Sequence, residues 1–196
     1  MDNTKDFIIE QAFKLFLERS YEAVSISDIS KAIGFTKGAL YHHFRNKEEL
    51  FTSVVDKYLF IPEIDVDVES VSLADYIAVS IQQAGKTINS LFSVTQVLSP
   101  LNYMSLFADA FRHYPGYADA KVAFISKEIS KTEQVLKNAV KSGEIRDDIN
   151  IQLIAANLVS INMGLAGNMV RNNSIENSID LLKKQTAEFY KLLKKP

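Results

Sequence analysis

The chain contains no cysteine. Disulfides and thiolate metal sites are thereby excluded, and the composition suits a reducing cytoplasm. Histidine is almost as scarce, with only His42, His43 and His113 in the chain. The first two are adjacent, so on a helix they splay apart and do not converge on a metal. Also missing are a glycine-rich phosphate loop, His-Glu-x-x-His and Gly-x-Ser-x-Gly. We therefore expect no catalytic residues, no metal, no cofactor and no enzyme. No unbroken apolar run approaches the roughly 20 residues that span a bilayer. The opening MDNTKDFIIEQAF mixes acids and bases and lacks the form of a signal peptide. The expectation is a cytoplasmic protein with no membrane partner. A net charge of −2 over 196 residues argues against a basic coat for nucleic acid. Only a local basic patch is left open.

What is present is helical periodicity around a short, capped core. The chain is 47% hydrophobic, enough for a sizeable core in one or two domains. Its organising stretch is Ser25 to Leu50, SISDISKAIGFTKGALYHHFRNKEEL. Ser25-x-x-Asp28 reads as a capping box. Ile26, Ile29 and Ile33 then form one apolar face. Gly34 ends that helix, since glycine takes the left-handed conformation at little cost. Thr36 caps a second short helix with body Lys37 to His43, the spacing of a helix-turn-helix. Asn46-x-x-Glu49 opens the next helix. Leu40 and Phe44 can face inward, leaving Lys37, Gly38, Tyr41 and His42 on the other side. Between Ser25 and Lys47 the bases Lys31, Lys37, Arg45 and Lys47 face the single acid Asp28. Helix starts, hydroxyls and local positive charge together suit phosphate contact. Gly38 would let a helix backbone lie close to a groove.

This stretch resembles the N-terminal DNA-binding domain of the tetracycline-repressor (TetR) family of bacterial transcription regulators. The resemblance rests on Ser25-Ile26, Asp28-Ile29, Ala32-x-Gly34, Lys37-Gly38, Leu40-Tyr41-x-His43-Phe44 and Lys47-Glu48-Glu49-Leu50. It implies a DNA-binding domain at 1–47 and a ligand-binding and dimerisation domain at 48–196. The implied DNA contacts are Lys37, Gly38, Tyr41, His42 and His43, with Ser25, Ser27, Thr36 and Lys47 on phosphates. Three positions depart from the family pattern: Ser20 stands for a usual glycine, Ser30 for alanine, and Ala39 for threonine or serine.

The remainder reads as all-α, about nine helices in total. Ile9, Ala12, Phe13 and Phe16 mark the first, with Asn3 or Thr4 as its cap. The fourth runs from about Lys47 to Leu59. From Ile61-Pro62 to Ser72, acids alternate with Ile64, Val66 and Val68. Alternation permits a strand, but with no partner strand in the chain an acidic connector is preferred. Helices are expected over Leu73–Leu91, over Phe92–His113 with a kink or break at Pro100, and over Ala118–Lys141. The last pair is placed at Ile151–Val170 and Ser174–Leu193. The former is apolar on more than one face and contains Ala155, Ala156, Gly164, Ala166 and Gly167. That pattern fits an internal helix pair or, as the resemblance implies, a four-helix homodimer interface on a palindromic site.

The resemblance also implies a small-molecule effector. Phe92, Tyr103, Phe107, Phe111, His113, Tyr117, Phe124 and Asn162 are the candidate liners, with Gln83, Gln96 and Asn102 as further polar choices. Apolar walls with few polar groups suit a hydrophobic or aromatic compound. The reading is a ligand-responsive repressor of double-stranded operator DNA. Its rivals are a DNA-bound interaction protein without an effector, and an all-helical enzyme.

Overall fold

Helices begin where the sequence supplies a side-chain acceptor. Ser25, Thr36, Asn46, Ser99, Asn150 and Ser174 each accept a backbone N–H from the first turn of the helix that follows. The computed structural model describes residues 3–60, 62–94 and 99–195. In chain order these residues form α1 (Asn3–Glu18), a 3-10 turn (Tyr21–Ala23), α2 (Ile26–Ile33), α3 (Lys37–His43) and α4 (Lys47–Tyr58). There follow α5 (Leu73–Ser93), α6 (Pro100–His113), α7 (Tyr117–Ser142), α8 (Ile151–Met163), α9 (Leu165–Asn172) and α10 (Ile175–Leu193). The all-α class is as read from sequence.

Three details differ. Phe92 lies in the last turn of α5 and does not open the next helix. Pro100 sits in the first turn of α6, behind the Ser99 cap, and so starts a helix instead of kinking one. A first-turn residue needs no N–H partner, so proline is tolerated there. The helix expected over Ile151–Val170 breaks at Gly164 into α8 and α9. Gln96 lies outside the described residues.

Two compact units share the chain. Unit 1 is Met1–Ile61 with Ser90–Ala118, and unit 2 is Pro62–Asn89 with Asp119–Pro196. The sequence division at 47/48 isolates the segment with the basic patch, whereas compactness groups α4 and α6 with that segment.

Unit 1 is held by aromatic packing. Phe13 of α1 stacks on Tyr58 of α4 at 3.9 Å, and Phe16 meets Phe51 edge-on at 5.1 Å. Ile8, Ala12, Phe44, Leu50 and Val54 fill the same core. A second ring cluster surrounds Tyr117, which is fully buried among Phe60, Phe107, Phe111 and Tyr114. Burial pushes the phenols of Tyr58 and Tyr103 up to about 12.

Unit 2 has a core of Leu73, Tyr76, Val135, Leu136, Ala139, Ile145, Ala155, Leu158 and Leu193. The alternating connector joins it without forming a strand. Ile64, Val66, Val68 and Val71 lie against this core. Glu63 on the other side pairs with Lys127 at 2.6 Å and Lys131 at 3.0 Å. The Asn138 side-chain amide donates to the carbonyls of Val68 and Glu69. Period-two alternation thus serves a chain laid across helices, one side in and one side out.

Phe51→Ala removes a fully buried ring that touches Phe16 and Tyr21. The expected loss is about 3–5 kcal/mol of unfolding free energy. Urea denaturation followed by circular dichroism checks it; a loss below about 1 kcal/mol would contradict the packing described.

Candidate nucleic-acid interface

The turn between α2 and α3 is fixed at both ends. Gly34 is left-handed at φ 72°. Phe35 N–H donates to Ser30 carbonyl at 3.0 Å, and Gly34 N–H donates to Lys31 carbonyl at 3.3 Å, the paired bonds of a glycine-terminated helix. The buried Ser30 hydroxyl then donates to Phe35 carbonyl at 2.6 Å. So the serine that departs from the family's alanine ties the turn from the other side. Phe35 and Ile26 pack against the unit 1 core.

The caps of α2 and α4 use the expected residues. Ser25 Oγ accepts from Asp28 N–H, and Asp28 Oδ2 accepts from Ser25 N–H. Ser25 Oγ–H also donates to that carboxylate. Hydrogen bonds from the Ser25 hydroxyl and then the Ser25 backbone hold the Asp28 carboxyl below the usual range. Asn46 Oδ1 accepts from Glu49 N–H, while Glu49 Oε2 accepts from the N–H of Arg45, one residue before the cap.

α3 presents one face inward and the rest outward. Leu40 and the following Phe44 are buried, at 0% and 1% exposure. Lys37, Gly38, Tyr41 and His42 are exposed, and His43 is half-buried. The His42 and His43 rings lie edge to face at 5.5 Å. A Cβ built on Gly38 meets only Thr36 Oγ1, at 3.9 Å. Nothing in the fold therefore requires glycine there. The Thr36 hydroxyl accepts from Ala39 N–H at 3.2 Å, which leaves its own proton available to donate. Ser27 is half-buried. Lys47 is engaged within the chain. Its ammonium donates to Tyr21 carbonyl at 3.0 Å and lies 4.0 Å from the Tyr21 ring centroid.

Tyr21 was not singled out in the sequence, yet it joins α6 to this assembly. Its N–H donates to Asp109 Oδ2 at 2.7 Å. Its ring stacks on His113 at 4.2 Å and packs on Phe51 at 4.6 Å. Burial, followed by the charges of Glu48 and Glu22, raises its phenol pKa. Asp109 is 4% exposed beside buried Leu106 and Ala110. A lone carboxylate on an apolar helix stripe was the sequence signal for it.

The candidate effector liners divide between the units. Phe92, Tyr103, Phe107, Phe111, His113 and Tyr117 pack in unit 1, with His113 against Tyr21. Phe124 and Asn162 belong to unit 2. One groove of about 530 Å³, lined by Glu69, Ser72, Asn138, Lys141 and Glu144 among others, contains none of the candidates.

The profile described as bacterial regulatory proteins, tetR family, matches residues 8–54, which run from α1 into α4. Over those residues the chain is similar to the tetR family. Within it, the negative regulator IcaR of the Staphylococcus epidermidis biofilm operon icaADBC is 42% identical over 52 residues, 26% of this chain and 28% of IcaR. The chain thus spans under a third of that relative's length. The Escherichia coli K12 transcriptional regulator UidR is 24% identical over 169 residues, 83% of this chain and 79% of UidR. Among solved structures, a TetR transcription regulator from Haloarcula marismortui has a TM-score of 0.72 at 14% identity, covering 98% of this chain and 99% of that one. A complex of SmeT with triclosan has a TM-score of 0.59 at 19% identity, covering 91% and 89%. These likenesses show that the shared fold extends beyond the matched segment.

Two variants probe the site. Asp109→Ala strands the Tyr21 N–H and is expected to cost about 1–3 kcal/mol of stability, read as a fall in thermal midpoint; an unchanged midpoint would show that the bond contributes nothing. Gly38→Ala is expected to raise stability by up to about 1 kcal/mol while weakening DNA binding. DNA affinity equal to wild type would place α3 away from the groove.

Proposed function

We propose that this chain is a ligand-responsive, DNA-binding transcriptional regulator that acts as a repressor, released from a palindromic operator by a small-molecule effector. The observation that carries the reading is α3. It is a short helix anchored by Leu40 and Phe44, whose outer face offers Lys37, Gly38, Tyr41 and His42 with no structural demand for the glycine. In this reading α3 enters the major groove with His43 at its edge. Ser27 and Thr36 meet phosphates. Ser25 and Lys47, whose polar atoms are already engaged, set the turn from which those contacts are made. The cell compartment is the cytoplasm, where the DNA of a bacterium lies.

The homodimer follows from α8 and α9. The stretch Ile151–Asn172 is long and apolar enough to cross a membrane by composition, although only 22% of its most apolar window is buried in this chain. Gln152, Asn157, Asn162 and Asn168 interrupt the run, so it is not one unbroken apolar segment. Leu153 is 63% exposed and Met163 54%, and Gly164 and Gly167 are exposed beside them. A water-facing apolar helix of this kind is what a second copy would cover. Leu165 is 4% exposed and faces its own chain, so Leu153 and Met163 are the interface candidates. The triclosan complex of SmeT supports an effector in a fold of this kind. A second reading keeps the DNA contacts but replaces the effector with a protein partner. The tight ring cluster around Tyr117 favours it, because those aromatics already pack on one another.

Lys37→Ala should weaken binding to an operator selected from random DNA and lower the salt slope by about one unit. A gel-shift salt series that leaves both unchanged would dismiss the docking. Leu153→Glu with Met163→Glu should halve the sedimentation mass, keep the helix content and weaken binding to a palindrome, since one head reaches only one half-site. Wild-type protein sedimenting as a monomer at micromolar concentration would end the dimer proposal.

A further inference from the structure

The two ends of α3 differ in what they offer a duplex. Near its start stand the hydroxyls of Ser27 and Thr36. Beyond its end the resemblance implies one cation on phosphate, Lys47. That ammonium is instead taken by the Tyr21 carbonyl at 3.0 Å and lies 4.0 Å from the Tyr21 ring centroid. Two other cations, Lys5 and Arg45, stand at the same end.

The first turn of α1 reaches the residues that flank α3 on both sides. The Phe7 ring lies 6.4 Å from the Phe35 ring, just ahead of the Thr36 cap. The Lys5 ammonium lies 5.1 Å from the centroid of the Phe44 ring, at the other end. The 7 residues of α3 hold these flanks about 10 Å apart along the helix axis. Phe44 is buried and Lys5 is exposed. A lysine so placed lays its stem on apolar surface and keeps its ammonium in water. Arg45 directly follows Phe44 and is exposed as well. Its N–H donates to Glu49 Oε2 at 2.7 Å, which fixes its backbone to the first turn of α4. Of the neighbouring acids, Asp6 pairs with Lys57 at 2.9 Å and Glu49 is bonded to the Arg45 backbone, while Glu48 is exposed.

We propose that Lys5 and Arg45 form a two-cation clamp on the DNA phosphate backbone at the C-terminal end of α3, in place of Lys47. This rests on the DNA-binding reading above and deepens it. A major groove is about 12 Å wide, and a helix with its side chains fills about 10–12 Å of it. Phosphates line both walls, and contacts on both hold a helix in register. Ser27 and Thr36 meet one wall through neutral hydrogen bonds. The clamp meets the other through charge. The Arg45 guanidinium can take a phosphate with two parallel N–H bonds, and the Lys5 ammonium acts as a point charge beside it. Neither reads a base, so the clamp adds affinity without sequence preference.

The test uses the full chain and measures binding to a selected operator and to a scrambled duplex by fluorescence anisotropy across a salt series. Lys5→Gln and Arg45→Gln are each expected to lower the salt slope by about one unit, and the double variant by about two. Each should weaken operator and scrambled duplex by the same factor, since a phosphate contact carries no sequence. Lys5→Arg should keep the slope. Lys47→Gln should leave it at the wild-type value even where the thermal midpoint falls. Arg45→Gln changes an exposed side chain outside any helix, so its outcome stands however Lys5→Gln folds. An unchanged slope in Arg45→Gln or in folded Lys5→Gln, a loss confined to the operator, or a lower slope in Lys47→Gln would each overturn the proposal. Lys37→Ala is read beside them. A lower slope there with none in the clamp variants rejects the clamp alone, whereas wild-type protein that binds neither duplex rejects the regulator reading.

Discussion

A helix as short as α3, Lys37–His43, cannot sustain itself in water, because nucleation costs more than so few backbone bonds return. Its existence depends on burying Leu40 and Phe44 in a scaffold that other elements hold rigid. Much of unit 1 can be understood as meeting that condition. α1 and α4 provide the aromatic floor, Ser30 and Gly34 fix the approach, and Thr36 closes the first turn. The outward residues are then free of any packing role. That freedom is why a glycine persists at position 38, where the fold alone would gain from alanine.

Tyr21 extends the same dependence to α6. A backbone bond to Asp109, a stack on His113 and a cation on the ring converge on one residue beside the 3-10 turn. Any displacement of α6 along its axis must break or drag these contacts. The geometry gives a physical route between α6 and the end of α4 that holds Lys47, built from a bond and two ring contacts.

The helices were legible in the sequence because their signals are local. Capping residues and apolar spacing fixed α2, α3 and α4 to within a residue. Pro100 could be read only as a kink or a break, because proline has opposite meanings in a first turn and in a helix interior, and the Ser99 hydrogen bond to Asn102 N–H distinguishes them. Gly164 was taken as a small residue within one helix, whereas it separates two. In the candidate site the outward side chains of α3 could be read from period alone. The engagement of Ser25 and Lys47, and the roles of Tyr21 and Asp109, could not, because each depends on partners distant in sequence or on a hydroxyl's choice of acceptor. The aromatic residues of α6 read as pocket walls for the same reason: rings look alike in sequence whether they face a ligand or one another.

The connector before α5 has a consequence for how copies of the chain meet in crowded solution. Residues 62–67 lie outside any helix, the stretch carries the alternating β-branched Ile64, Val66 and Val68, and it makes no ladder with another described segment. Such an edge is a template on which a second chain could add as a strand and start an aggregate. Pro62 lacks a donor, and Glu63, Asp65 and Asp67 would stand beside their own copies in any in-register stack, like charge against like. The acids that make this stretch look like an ordinary solvated loop therefore act as gatekeepers, keeping an edge that the helical fold leaves unpaired from pairing with itself.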